Sequence, residues 1–242
     1  MRSHSLSIVI PALNEEKLLS DLLSSIKKQT VDAEVIVADA KSTDDTKKIA
    51  ESFGARVVDG GLPSYGRNAG AKVATGDIIL FLDADVVLPD ENFLSRALNE
   101  FATRPFDVAT ADVIPKSIRR YDRFSFWVYN RYVRAWGSRR AHAPGFFIII
   151  RRALHAKIGG FDERIVFCED HEYVGRAAKQ GQFGFLNSVK IPTSVRRFDK
   201  DGRFSIALKF IKAELHLIFR GPILDNSFDY TFDYGSDSTE EK

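Results

Sequence analysis

The run Ile78-Ile79-Leu80-Phe81-Leu82, opened by Gly76-Asp77 and closed by Asp83-Ala84-Asp85, constrains this chain more than any other stretch. Five consecutive apolar residues without alternation describe a strand covered on both faces, as in a parallel sheet rather than a half-solvated antiparallel one. A sheet of that kind needs helices on both faces, which makes the chain α/β. The run also fixes where chemistry can occur, because ligands in open α/β sheets bind outside the carboxyl ends of the strands. Two carboxylates stand at that end. Asp83 and Asp85 flank a single residue, so in extended backbone they point to one side, and paired hard oxygen donors suit Mg²⁺ or Mn²⁺ holding a diphosphate.

The flanking sequence supplies the rest of such a sheet. Leu6–Ile10 is a β-branched run that ends at Pro11, and Lys17–Thr30 repeats Leu18, Leu19, Leu22, Leu23 and Ile26 at helical spacing. Residues 34–39 and 55–59 read as the second and third strands, with Ser42 or Thr43 capping the helix between them. Arg67–Ala71 is a short helix before the central strand, and Asp90 caps a helix that runs to about Ala102. Strand alternating with helix predicts parallel pairing and right-handed crossovers. Val108–Ile114 alternates like a strand near a sheet edge, and Phe146–Ile150 is another buried strand. Arg151 or Arg152 opens a helix ended by Gly159-Gly160, and Glu169–Gln180 is a helix closed by Gly181. Residues 183–186 and 189–192 read as two short strands, Arg196-Arg197 as a loop, and Phe204–Phe219 as a last amphipathic helix.

Charge is unevenly spread. The net +2 combines −5 from residue 225 onward, where six acidic residues meet one Lys, with the +7 that this leaves on residues 1–224. Residues 116–140 alone hold eight Lys/Arg against one Asp, with seven aromatics interleaved. That helix, about 118–137, and the C-terminal one have the composition of segments that lie in a bilayer interface. Lys209, Lys212 and Glu214 forbid the second from spanning. No apolar leader precedes the first strand and no uncharged run approaches the ~18 residues of a membrane span, so the expected location is cytoplasmic, with peripheral contact on the inner face of the membrane. One cysteine, Cys168, excludes an internal disulfide and a Cys-based zinc site, and reads as a packed residue. The expected organisation is one domain over 1–224, with a nucleotide-binding half to about 115 and an acceptor half over 116–224, followed by a loosely ordered acidic tail over 225–242.

Neither a P-loop nor Gly-x-Gly-x-x-Gly occurs, so a diphosphate has to be held by carboxylates and a cation. Glu15 or Glu16, Asp39, and Asp83 with Asp85 lie at the ends of strands one, two and four, and Arg67 adds a positive charge. Pro11-Ala12-Leu13-Asn14-Glu15, Asp39 through Thr46, Gly66-Arg67-Asn68-Ala69-Gly70, Asp83-Ala84-Asp85, and Gly159-Gly160-Phe161-Asp162-Glu163 followed by Glu169-Asp170 together resemble a family 2 glycosyltransferase of the GT-A fold over about residues 5 to 200. The resemblance implies a Rossmann-like α/β sheet, mixed and flanked by helices, and an inverting, metal-dependent transfer from a nucleotide-diphosphate sugar. By position it places Pro11, Ala12, Glu15, Asp39 and Arg67 around the nucleoside, Asp83 by the ribose or the metal, Asp85 on the metal, and Asp170 as the base.

Inversion at an anomeric carbon independently asks for one base opposite the leaving group, and a carboxylate in the first turn of a helix is stabilised by the macrodipole. Glu169 beside it should face elsewhere. Where polymerising members carry Gln-x-x-Arg-Trp, this chain has Ser194-Val195-Arg196-Arg197-Phe198. That argues against a processive polysaccharide synthase and leaves Arg196 or Arg197 to meet the diphosphate as the loop closes. His142 and His171 could ligate a metal but read first as acceptor-side residues. A lipid-linked acceptor fits the interfacial helices. A nucleic-acid partner is excluded by the carboxylate set, which repels a phosphate backbone. Two alternatives stay open here: a catalytically silent sugar-nucleotide binder and a sugar-1-phosphate nucleotidyltransferase.

Overall fold

The computed structural model of the chain describes residues 5–225. The acidic tail expected from residue 225 falls, but for Asp225, outside the described residues. Seven strands form one sheet in the order β3-β2-β1-β4-β6-β5-β7. The strands are β1 (Leu6–Ala12), β2 (Glu34–Asp39), β3 (Arg56–Asp59), β4 (Ile78–Leu82), β5 (Val108–Pro115), β6 (Phe147–Arg151) and β7 (Phe183–Thr193). The helices are α1 (Glu16–Lys27), α2 (Thr46–Ser52), α3 (Pro63–Val73), α4 (Phe93–Thr103), α5 (Arg120–Trp136), α6 (Arg152–Lys157), α7 (Glu169–Gln180), α8 (Arg196–Asp201) and α9 (Arg203–Phe219), with a 3-10 turn over Gly137–Arg140.

β6 runs antiparallel to both β4 and β5, while the remaining pairs are parallel. The sheet is therefore mixed, and the carboxyl ends of β1, β2, β4, β5 and β7 share one edge with the start of β6. Order reverses between β1 and β4, the switch point at which a crevice opens. All five β4 residues are buried, as the unbroken apolar run requires. One core layer gathers Leu19, Leu22 and Leu23 of α1 with Phe93 and Phe101 of α4; the other gathers Phe81, Phe161, Tyr173 and Val174. Each fully buried side chain of this size contributes about 1.5–3 kcal/mol.

Glycine lets α3 lie close on the sheet. A Cβ at Gly70 would run into Val9 Cγ1, so only glycine fits between helix and strand.

Several local expectations change. β7 is one strand with a register shift opposite Ala111/Asp112, where the sequence suggested two. Arg196 and Arg197 open helix α8 instead of lying in a loop. Ser42 and Thr43 do not cap α2: Ser42 Oγ accepts from Asn14 N at 2.9 Å, and Asn14 Oδ1 accepts from Thr43 N at 2.9 Å, which stitches the loops after β1 and β2 together. Asn14 needs φ 53° to do so, a conformation asparagine tolerates. Asp90 precedes the cap position Asn92, and its carboxylate takes Arg96 and the Asn92 N–H.

The apolar stripes of α5 and α9 do not pack on the sheet. Tyr121, Phe124, Trp127, Val128, Tyr132 and Trp136 of α5, and Phe204, Leu208, Ile211, Leu215 and Ile218 of α9, are exposed, with Trp127 at 54% and Ile211 at 57%. Monomeric soluble surfaces rarely leave so many large apolar groups in one region. Among the described residues no helix is long and apolar enough to cross a membrane.

Candidate active site

The carboxyl edge of the sheet is where the conspicuous side chains meet. Asp83 follows β4 directly, and Asp85 stands two residues on. Glu15 lies in the loop after β1, at the backbone cap position of α1; its side chain makes no capping bond. Instead its carboxyl enters the cleft, where Oε2 is buried without a hydrogen bond. Burial, then the charges of Asp85 and Asp83, push the Glu15 carboxyl up to about 7, against the pull of Arg196. Asp85 is solvent-accessible at the cleft mouth but crowded by protein, and it too is raised, first by desolvation and then by Asp83. Arg196 and Lys116 draw it down, which places the start of α8 on this edge. The side chain of Arg197 lies outside the described residues.

Such mutual repulsion is relieved by a cation. The donor set suits a hard divalent ion, with two Asp carboxylates and a third carboxyl close enough to feel both. Among the described residues no cluster of three or more His, Cys, Asp or Glu is pre-gathered as a complete site. Mg²⁺ commonly takes one or two carboxylates and completes its shell with phosphate oxygens and water, so Asp83 and Asp85 fit such an ion.

Arg67, expected beside the nucleoside, lies buried beneath the cleft. It is 3% exposed. Nη2 donates to Asp83 Oδ1 at 2.9 Å and Nη1 to Glu169 Oε1 at 2.7 Å, while Nε is buried without a partner. Its Cζ lies 5.4 Å from the centre of the Phe161 ring, which in turn stacks on Tyr173 at 3.7 Å. A fork of fixed donors is the group suited to holding two carboxylates from different elements. The guanidinium thus locks the end of β4 to the start of α7.

Asp170 lies beside Glu169 and bonds to backbone donors, with the Arg67 guanidinium nearby. Its Oδ2 accepts from Gly145 N at 2.7 Å and its Oδ1 from His171 N at 2.8 Å. Both oxygens are aimed by backbone donors, leaving further lone pairs open. Gly145 has to be glycine: a Cβ there would come within 2.7 Å of Arg67 Nη2 and 3.3 Å of Asp170 Oδ2. Cys168, before α7, has φ 60° and is buried, and its thiol is raised well above its ordinary range by burial and by the Asp170 and Glu169 charges. It stays a thiol, consistent with a packing role.

On the other side of the cleft, Asp39 closes β2 in register with Ala12 and accepts from Ser42 N at 3.2 Å. Pro11 lines the same corner, near enough to Gly66 that a Cβ there would approach to 3.2 Å. The structure therefore gathers Glu15, Asp83, Asp85, Asp170 and Arg196 along one edge, with Pro11, Ala12 and Asp39 on its β1–β2 side and Arg67 below. Sequence reasoning missed Gly145, the Arg67–Glu169 pair and Asn68. The Asn68 amide clamps Phe161 through both its N–H and its C=O, at 2.8 and 2.9 Å. The one sequence trace of Gly145 was a Pro-Gly step before a buried strand.

Known proteins resemble this chain in sequence and in fold. The curated relative 4,4'-diaponeurosporenoate glycosyltransferase of Staphylococcus haemolyticus is 36% identical over 113 residues, 43% of this chain and 30% of its own length. The chain thus spans about a third of the curated relatives it matches. Among solved structures, the mannosyltransferase PcManGT of Pyrobaculum calidifontis, in complex with GDP-Man and Mn²⁺, superposes with a TM-score of 0.69 at 20% identity, covering 88% of this chain and 62% of that one. Staphylococcus aureus TarS 1-349 in complex with UDP-GlcNAc gives 0.64 at 23% identity, over 78% and 58%. These likenesses support the GT-A fold. The model of the family described as "Glycosyl transferase family 2" matches residues 7–159, well over half of the sequence. With its mixed seven-stranded sheet and acidic edge, the chain belongs to glycosyl transferase family 2.

Proposed function

We propose that the chain is an inverting, metal-dependent glycosyltransferase that moves a sugar from a nucleotide-diphosphate sugar to an acceptor hydroxyl, with Asp170 as general base. The observation that carries the reading is the placement of Asp170. Two backbone N–H groups fix its carboxylate on the edge that also holds Asp83 and Asp85, with Arg67 bridging the two sides from beneath. TarS and PcManGT, which share the fold, are described with UDP-GlcNAc and with GDP-Man and Mn²⁺ respectively.

In this reading Pro11, Ala12, Glu15 and Asp39 take the nucleoside on the β1–β2 side, and Asp85 with Asp83 holds the divalent ion. The cation supplies charge for the departing diphosphate. Arg67 keeps Asp83 in place from below. Asp170 receives the proton of the acceptor hydroxyl as its oxygen bonds to the anomeric carbon and the bond from that carbon to the diphosphate oxygen breaks. Positioned proton transfer of this kind contributes about 10²–10⁴-fold. Arg196, with Arg197 beside it in sequence, adds positive charge on the leaving-group side. Residues to about 115 form the donor half and 116–224 the acceptor half of a single domain.

The acceptor is lipid-linked. Arg120, Arg123 and Arg131 are exposed among the aromatics of α5, Arg119 and Arg139 flank it, and α9 adds an exposed apolar face. Basic side chains interleaved with aromatics complement an anionic bilayer surface, which fits peripheral attachment to the inner face of a cytoplasmic membrane.

A thermal-shift panel of UDP-, GDP-, dTDP- and ADP-sugars with and without Mn²⁺ tests the donor reading, since a ligand that binds only the native state raises the melting point. One nucleotide class is expected to stabilise the protein only when Mn²⁺ is present. No shift with any donor would overturn it.

A further inference from the structure

Behind Asp170 lies a polar chain that the transfer reaction, as described, does not use. His142 is 6% exposed. Its Nδ1 lies 2.6 Å from the Arg140 carbonyl oxygen and its Nε2 lies 3.1 Å from Glu214 Oε2. A carbonyl and a carboxylate both only accept, so both ring nitrogens have to donate, and an imidazole that donates twice is an imidazolium. The His142 ring packs edge-on against His171 with centroids 4.7 Å apart. His171 Nδ1 is buried without a hydrogen bond, 3.7 Å from Asp170 Oδ1.

We propose that His142 is a cationic positioning residue, held by Glu214, that keeps its neighbour His171 neutral and so leaves the Asp170 carboxylate free to take the acceptor proton. The proposal rests on Asp170 being the base. A cationic His171 would turn its Nδ1–H onto Oδ1, 3.7 Å away, and hold the carboxylate in an ion pair that competes with the acceptor hydroxyl. A second positive ring at 4.7 Å opposes that state.

The surrounding groups point the same way. Bonding to His142, with help from Tyr132 and Arg140, holds the Glu214 carboxyl down at about 2 against its burial. Burial lowers His171, and the His142 and Arg140 charges add to that against the pull of Asp170 and Glu214. Every element packed on the pair contributes. From α5, Tyr132 donates to Glu214 Oε1 at 2.9 Å, and the Tyr129 phenol is raised by burial and by the Asp170 charge. From the 3-10 turn, Arg140 Nη2 lies 3.2 Å from Glu214 Oε1. From the start of α7, Cys168 stays a thiol. Since Glu214 belongs to α9 and Tyr132 to α5, the two helices that carry the exposed apolar face also hold the cation that guards the base.

The test has two arms. In ¹⁵N-histidine-labelled protein at pH 7, His142 is expected to show the imidazolium pattern and His171 a neutral tautomer; a neutral His142 overturns the proposal. This arm needs no turnover, so it decides even if no donor is found, and its failure leaves the transferase reading standing. In the second arm, His142→Gln removes the ring charge that opposes a charged His171 and leaves the Glu214 carboxylate, which favours it, in place. It is expected to move the acid limb of the kcat/KM profile to higher pH by about one unit, the size of a nearby-charge effect, with KM for the donor unchanged. In a His171→Gln background the same substitution is expected to cause no shift, because no ring remains to charge. A shift that persists there, or a uniform loss of kcat at every pH, would show a merely structural role.

Discussion

Replacing Arg67 with Leu removes the one guanidinium that joins Asp83 to Glu169. The two bonds differ in weight. The Asp83 side chain is 37% exposed, so its bond is solvent-screened and contributes at most about 1 kcal/mol. The Glu169 side chain is 10% exposed and loses its ion pair at 2.7 Å. Breaking a buried pair from one side costs about 3–5 kcal/mol, because the remaining charge is left without compensation. For a chain of this size that corresponds to a fall in Tm of roughly 6–20 °C.

The pH dependence has a definite sign. Burial raises the Glu169 carboxyl above its ordinary value, and Arg67 is what pulls it back. Without Arg67 the folded form takes up a proton at higher pH than the unfolded chain, so the deficit is full at pH 8 and shrinks as pH falls toward 5. Urea unfolding at both pH values measures it. The double variant Arg67→Leu with Glu169→Leu is expected to recover most of the loss, since no buried charge is stranded. A single-variant cost below about 1 kcal/mol, or a double variant no better than the single, would refute the role given to this pair.

Three further outcomes follow. Asp170→Asn keeps the shape but turns an NH2 toward one of the two backbone N–H groups that bond the carboxylate, so it is expected to cost about 1–3 kcal/mol in urea unfolding while lowering transfer about 10²–10⁴-fold; near-normal transfer would remove Asp170 from the reaction. In co-sedimentation, the protein is expected to pellet with anionic vesicles at low salt and less so at high salt, and Phe124→Ser with Trp127→Ser to weaken the residual binding; no pelleting at either salt ends the bilayer reading. His155 is held by burial near a pKa of about 4 and contacts the Tyr173 hydroxyl at 2.6 Å. The unfolded chain therefore binds the extra proton first, and stability falls by up to about 3 kcal/mol as pH drops from about 6.5 toward 4. His155→Gln should flatten that slope, and an unchanged slope would show that another group sets it.

Much of the architecture was legible because burial and periodicity are local properties. The unbroken run of β4, the helical repeat of Leu19, Leu22 and Leu23, and the strand alternating with helix each carry their period in sequence. The direction of β6 did not, since a fully apolar strand reads the same either way and only its partners decide. The join in β7 was hidden because Asn187-Ser188 looks like a turn, whereas β5 simply shifts register to accommodate it. The stripes of α5 and α9 show the limit of periodicity most plainly. Helical spacing marked both apolar faces but not what covers them, and the structure leaves both exposed. At the site, acidic residues were visible at strand ends because few other reasons put them there. The partners of Arg67 were hidden for the complementary reason: a cation near carboxylates in sequence can bind ligand or bind the carboxylates, and here it bonds Asp83 and Glu169 at 3% exposure. Gly145 and Glu214 act through contacts 25 and 72 residues away, to Asp170 and His142, which no spacing rule reports.

The measurement closest to the central claim is an anomalous-scattering map from crystals soaked with Mn²⁺ and the nucleotide diphosphate that the thermal-shift panel selects. The expected peak lies about 2.0–2.3 Å from an Asp85 oxygen and beside Asp83, bridging to the diphosphate, and disappears in Asp85→Asn. A peak elsewhere, or a diphosphate bound away from the β1–β4 crevice, would contradict the account.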